Sequence, residues 1–183
     1  MLSEIRKISS LLLSVAFSSI GFIASITVTV LAAREVSSNP LFVGFPNAVG
    51  VGGAVLGTRM IYLISKNNSQ LNALAFTFLI GAFGGAIMFY SLIVDSFVLL
   101  LFGAFILGIG QSATLQTRYA ASFVASEKFK ATALSLAVWF SVFGSVFGPR
   151  MVGSYSNFFE NIFNSELIVG YVIALVGMLF AAS

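Results

Sequence analysis

The sequence contains no histidine and no cysteine. Without imidazole or thiolate, the usual zinc, haem, iron–sulfur and copper ligand sets cannot be assembled, and thiol or imidazole catalysis is excluded. No disulfide can form. Charge is nearly as scarce, at 8% of 183 residues, where ordinary soluble domains carry roughly 25%. So few charges cannot cover a water-exposed surface. What the chain has instead is 58% hydrophobic residues and 20 phenylalanines, with a mean hydropathy of +1.04, and it reads as an integral membrane protein. The net charge of +3 would suggest nucleic acid in a soluble protein. Here the basic residues sit mostly in short loops between apolar runs, where they act as topology signals, and no nucleic-acid partner is expected.

Six apolar runs divide the chain. Glu4, Arg6 and Lys7 precede the first, which covers about 8–33; a signal peptide has an apolar core of only ~7–15 residues. At ~1.5 Å per residue this run spans a ~30 Å hydrocarbon core with length to spare. The others cover about 41–65, 71–94, 97–123, 131–152 and 167–182, boundaries drawn where apolar periodicity stops. Arg34, Glu35, Ser37, Ser38, Asn39 and Pro40 make the first break, and Pro40 stands where a second helix is expected to begin. Six spans put both termini on one side. With that side cytoplasmic, Arg6, Lys7, Lys66, Lys128 and Lys130 are inside, Arg59 and Arg118 lie near inner helix ends, and only Arg34 and Arg150 lie near the outer face. The positive-inside rule asks for this arrangement, and the cell membrane is the expected location.

Polar residues within the spans are few. Asn47 is the mid-helix amide of the second, and Gln111, Thr114 and Arg118 recur at helical spacing along one stripe of the fourth. An amide in mid-membrane is costly to hide, so Asn47 and Gln111 are the candidates for contact with a polar substrate, with Thr114 and Arg118 extending the path. The remaining hydroxyls are read as interhelical hydrogen bonds, worth roughly 0.6 kcal/mol each. Arg118 lies about 32 Å along a helix from Phe97 and is expected to emerge at the interface. No Asp or Glu lies in mid-span, so these runs supply no carboxylate for proton coupling. Small residues recur in rows that permit close helix approach: Gly44, Ala48 and Gly52 in the second span, beside Gly53 and Gly57. In the first, Ser14, Ser18, Gly21 and Ser25 should face other helices while Phe17, Phe22 and Ile26 face lipid. The fifth has Ala133, Ala137, Ser141, Ser145 and Pro149, with Gly144 and Gly148 alongside.

The succession SSNPLFVGFPNAVGVGGAVLG, GIGQSATLQTRYAA, a basic loop and GSVFGPRMVG resembles the amino-terminal six-helix half of a major facilitator superfamily transporter, over nearly the whole chain. Its most specific part is Gly144, Gly148, Pro149 and Gly153, similar to the GxxxGPxxGG motif of the fifth helix seen especially in exporters, with Val152 at the first glycine of the closing pair. The resemblance implies an all-α membrane bundle of six transmembrane helices, arranged as two inverted three-helix repeats, with a substrate path at its centre. It also implies a gating interface at Gly144–Gly153, where Pro149 deletes one helical hydrogen bond. Two motifs depart from the family. The turn after the second helix usually has an Asp-Arg-x-Gly-Arg-Arg-like core, and here it holds Lys66 and Asn68 within SKNNSQ; Ala104 stands at the arginine place of the fourth helix.

The function implied is a secondary transporter domain that moves a small organic solute by alternating access; the Gly144–Gly153 motif alone leans toward export, and the direction is left open by the rest of the sequence. Alternating access rocks one bundle against another, so a second six-helix half, from the same or another chain, is an expected partner beside the lipid bilayer. The end at Ser183, directly after the sixth run, is expected of a truncated chain. No cofactor or metal is expected, and no enzymatic activity, since the common acid–base pairs are missing. The alternative is a non-transporting six-helix scaffold or assembly partner.

Overall fold

A backbone in hydrocarbon must satisfy its own N–H and C=O groups, which leaves long apolar runs little choice but the helix. The computed structural model describes residues 2–37, 39–163 and 165–183, with side chains from Ile8 onward. Ser38, and the side chains of Glu4, Arg6 and Lys7, lie outside the described residues. Its helices are α1 (Leu2–Val36), α2 (Phe45–Ser65), α3 (Gln70–Ile93), α4 (Phe97–Val124), α5 (Lys130–Phe163) and α6 (Ile168–Ala182). The first five are long and apolar enough to cross a membrane. The sixth has 15 residues, about 22 Å of helix.

Local chemistry sets the ends. The hydroxyls of Ser69 and Ser96 accept from the backbone N–H of Asn72 and Leu99, capping α3 and α4. Asp95 ends α3 in a left-handed conformation, φ 49°, and Ser96 N–H reaches back to Ser91 C=O at 2.9 Å. Aspartate tolerates that conformation better than most residues.

Helix ends depart from the apolar runs at two places, although the second apolar span itself still covers Pro40–Ser65. Pro40 opens a short 3-10 turn, Pro40–Phe42, capped by Asn39, and α2 begins only at Phe45, with Pro46 in the first turn where its missing N–H is harmless. The fifth helix does not stop near Val152 but continues unbroken to Phe163. Met151, Tyr155, Phe159 and Phe163 recur at fours, and Phe163 meets Phe89 of α3 edge-on at 5.5 Å. Meanwhile the hydroxyls of Ser154 and Ser156 donate to carbonyls of their own helix. An apolar stripe and self-satisfied hydroxyls keep this polar-looking segment helical.

α1 and α4 are the hubs. α1 packs on α5 and α6, α4 packs on α2 and α3, the hubs touch each other, and α3 packs on α6. Glycine sets the separations. A Cβ added to Gly53 would sit 1.9 Å from the Phe105 carbonyl oxygen, and one added to Gly57 would sit 2.7 Å from that of Ile109, so α2 and α4 run parallel in near-backbone contact. Gly81 lies against Gly110 and Gly84 against Leu107, which makes α3 and α4 antiparallel. Gly177 meets Gly21 while Gly170 meets Ala24 and Val28, so α6 is antiparallel to α1; Gly144 meets Ser19 and Gly148 meets Ala24, so α5 is parallel to it. Together with α3 antiparallel to α6, these contacts run the helices alternately up and down. One end of the bundle therefore holds Lys66 and the turn with Glu127, Lys128 and Lys130; the other holds Arg34, Glu35, Asp95 and Glu166.

Adjacent glycines of α2 provide a matched test. Gly53 is buried in the α4 contact, whereas a Cβ at Gly52 would meet nothing within 4 Å. Gly53→Ala is expected to cost about 1–3 kcal/mol through overpacking, and Gly52→Ala to be neutral or stabilising by up to about 1 kcal/mol. Unfolding midpoints in mild detergent read both, and equal midpoints would refute the packing described.

Candidate functional site

Between α1, α2 and α4 lies a cavity of about 230 Å³. Asn47 and Gln111 stand on its walls with Phe22, Ser25, Thr29 and Leu107. The two amides were legible in sequence; that they share one cavity was not. Both are half-buried, and among the described residues neither has a side-chain hydrogen-bond partner. Each carries two donors and a carbonyl acceptor, and such groups within a membrane bundle turn to water or to a solute.

The hydroxyls of the same cavity are differently placed. Ser25 donates to Phe22 C=O at 2.9 Å and Thr29 to Ser25 C=O at 2.7 Å. Tyr171, fully buried on α6, donates to the Thr29 oxygen at 3.4 Å. This chain of donors ties α6 to the cavity wall and leaves the hydroxyls little to offer a solute. Phe22 and Ile26, both expected at the lipid, line the cavity. Since α1 is a hub with neighbours on several faces, lipid reaches less of it than its apolar composition suggested.

The rest of the polar stripe continues below the cavity. Thr114 is 3% exposed, and its oxygen has no hydrogen-bond partner. Arg118, expected to emerge at the interface, is instead half-buried, with its Nε enclosed and unpartnered. Gly144 and Gly148 lie in the α1–α5 contact, while Pro149 is exposed and Gly153 faces open space. Those four motif residues therefore do not act as one surface: two glycines seat α5 on α1, and the other pair faces outward. Lys66 and Asn68 are exposed in the α2–α3 turn.

Chemically, the cavity can bind but has no acid–base pair. No titratable side chain is among those lining it, and among the described residues no cluster of acids could hold a metal ion. Amides supply direction to a hydrogen bond, while Phe22, Ile26, Val51 and Met88 supply apolar contact. The carboxylates of Glu35, Asp95 and Glu166 lie at the far end, where Glu35 feels the charge of the other two.

The chain is 29% identical over 169 residues to the protein named "Uncharacterized MFS-type transporter YdeG" of Bacillus subtilis (strain 168), a match covering 92% of this chain and 39% of that protein. It is 31% identical over 157 residues to "Uncharacterized MFS-type transporter YddS" of the same organism, covering 86% of this chain and 36% of that protein. The chain thus spans well under half the length of either relative. No protein-family model and no solved structure matches it.

The absence of cysteine makes the cavity testable without a substrate. Asn47→Cys and Gln111→Cys are expected to react with a hydrophilic, membrane-impermeant thiol reagent in open membrane fragments. Phe83→Cys, 62% exposed at the middle of α3, is expected to stay unlabelled in lipid. Equal labelling of all three positions would show that the cavity is no more watery than the bilayer.

Proposed function

Because this chain is a homologue of major facilitator superfamily transporters along most of its length, we propose that it forms the amino-terminal six-helix half of such a carrier. In this reading a small organic solute passes through the centre of the bundle by alternating access, in the exporter direction. The observation that carries the reading is the cavity between the two hubs, walled by two amides that the protein leaves without partners. A scaffold has no use for such groups and would be more stable with apolar residues there.

Two further features support it. Exchanging α1, α2 and α3 for α4, α5 and α6 maps the principal helix packings onto one another, α2 on α4 onto α5 on α1 and α3 on α4 onto α6 on α1, as two inverted three-helix repeats require. Furthermore, the apolar stretches of α2 and α5 are only 17% and 22% buried, against 50% for those of α1, α3 and α4. Each turns one small row inward, at Gly53 and Gly57 or at Gly144 and Gly148. Each turns another outward, at Gly44, Ala48 and Gly52 or at Ser145, Pro149 and Gly153. Those outward rows suit a second six-helix half approaching closely.

In this scheme Asn47 and Gln111 hold the solute, with Thr114 and Arg118 further along the path. The Gly144 and Gly148 contact lets α5 slide on α1, and Pro149 loosens α5 beside it. Lys66 and Asn68 form the turn that a closing partner half would press against. Both termini are cytoplasmic, with the lysine-bearing end inside.

Native mass spectrometry of the chain extracted from its membrane in mild detergent is expected to find it joined to a second six-helix unit. Lone monomers that still carry solute into vesicles would overturn the two-half reading. In vesicles holding the assembly, Asn47→Leu combined with Gln111→Leu removes two hydrogen bonds of about 1 kcal/mol each, so solute flux should fall roughly tenfold or more. Unchanged flux would remove the amides from the path.

A further inference from the structure

Threonine inside a helix normally hides its hydroxyl against its own backbone. Thr27, Thr29, Thr58, Thr77 and Thr117 all do so, each donating to the carbonyl four residues back. Thr114 does not. It is 3% exposed, yet its hydroxyl has no partner. One turn further along α4, the buried Nε of Arg118 is likewise unpaired. Two enclosed donors thus stand one turn apart on the stripe that begins at Gln111 in the cavity wall.

A half-buried guanidinium demands an anion, and the described residues offer it none. Their ion pair is Lys130 with Glu127 at 2.6 Å, in the exposed turn after α4. Asp95 sits before the start of α4, so it lies more than about 30 Å along the bundle from Arg118. Glu35 and Glu166 share that distant end, where Glu35 feels the charges of both Asp95 and Glu166. Water could occupy one donor, but a planar guanidinium beside a hydroxyl matches the geometry of an oxyanion better than that of a single water. Lys66 and Lys128 stand at the same end of the bundle, with Lys130 offset by Glu127, and raise the local concentration of anions near it.

We propose that Thr114 and Arg118 form a recognition point for an oxyanion, a carboxylate or phosphate group, reached from the lysine-bearing end of the bundle. As the class of cargo, this rests on the transport reading above; as a binding site, it stands on the two unpartnered donors alone. The anionic group docks between the Thr114 hydroxyl and the Arg118 Nε, while the uncharged remainder of the molecule extends toward Gln111 and the cavity. The same chemistry could be met by a free solute or by an anionic lipid headgroup.

The test is the unfolding midpoint of the full chain in mild detergent, titrated with sodium benzoate or inorganic phosphate. Benzamide serves as the neutral isostere and sodium chloride as the ionic-strength control. Benzoate or phosphate is expected to raise the midpoint saturably, with no such effect from benzamide or chloride. Arg118→Gln should raise the half-saturating concentration about tenfold or more, and Thr114→Val severalfold, as expected for charge-assisted and neutral hydrogen bonds respectively. Should Arg118→Gln fail to fold, the isosteric Thr114→Val carries the test. Repeating the titration in nanodiscs with and without anionic lipid identifies the source: competition by anionic lipid assigns the site to a headgroup, and its absence assigns it to a free solute. Equal effects of benzoate and benzamide, or half-saturation unchanged in both variants, would overturn the proposal while leaving the cavity labelling and assembly results intact.

Discussion

Helices in lipid gain little from hiding apolar side chains from one another, since the tails around them are equally apolar; association depends on how closely backbones can approach. In this bundle that approach is set by glycine. The contacts of Gly53 with Phe105, Gly81 with Gly110, Gly144 with Ser19 and Gly177 with Gly21 leave no room for a methyl group. They clamp two flanking helices to each hub and thereby fix where the hubs stand. The space left between α1, α2 and α4 follows from that clamping. It persists because the flanking helices, rather than a filled centre, hold the assembly together.

Polar groups are distributed with similar economy. Nearly every hydroxyl on the helices returns its proton to its own backbone, as Ser14, Ser18 and Ser25 do along α1. Such side chains are electrically quiet and act as small packing residues. Against that background the exceptions among the described helix residues are conspicuous: two amides in the cavity, the hydroxyl of Ser19 buried under α5, and one hydroxyl and one guanidinium nitrogen on the stripe beyond the cavity. Charge is partly sorted as well, with Lys66, Lys128 and Lys130 at one end of the bundle beside Glu127, and Glu35, Asp95 and Glu166 at the other beside Arg34. The interior between them has one sign only, the positive one of Arg118.

Much of this was legible in the sequence. Apolar length gave the number of helices, and the rarity of mid-span amides singled out Asn47 and Gln111, because a costly residue is informative wherever it stands. The two glycine rows of α2 were visible as rows, but which one packs inward was not: spacing defines faces, and only tertiary neighbours distinguish them. Polarity was a poor guide to the end of α5, where Ser154, Ser156 and Asn157 suggested a loop. The stripe of Met151, Tyr155, Phe159 and Phe163 determined the outcome. Arg118 was misplaced because helix rise gives depth in the membrane but not rotation about the helix axis, and it is rotation that turns its side chain inward. The orphaned hydroxyl of Thr114 has no sequence signature, since Thr117 three residues on looks the same and is fully satisfied.

The uninterrupted length of α5 has a mechanical consequence. Its 34 residues make a rod of about 51 Å, well beyond a ~30 Å hydrocarbon core, and its weakest point, Pro149, lies off-centre. From there to Phe163 is a stiff arm of about 21 Å. A bend of about 20° at the proline, the order at which helix kinks are recognised, swings the tip through roughly 7 Å. The tip is the ring that leans on Phe89 of α3. A slight adjustment where α5 rests on α1 is thereby geared up into a displacement wider than an aromatic ring, on the far side of the molecule.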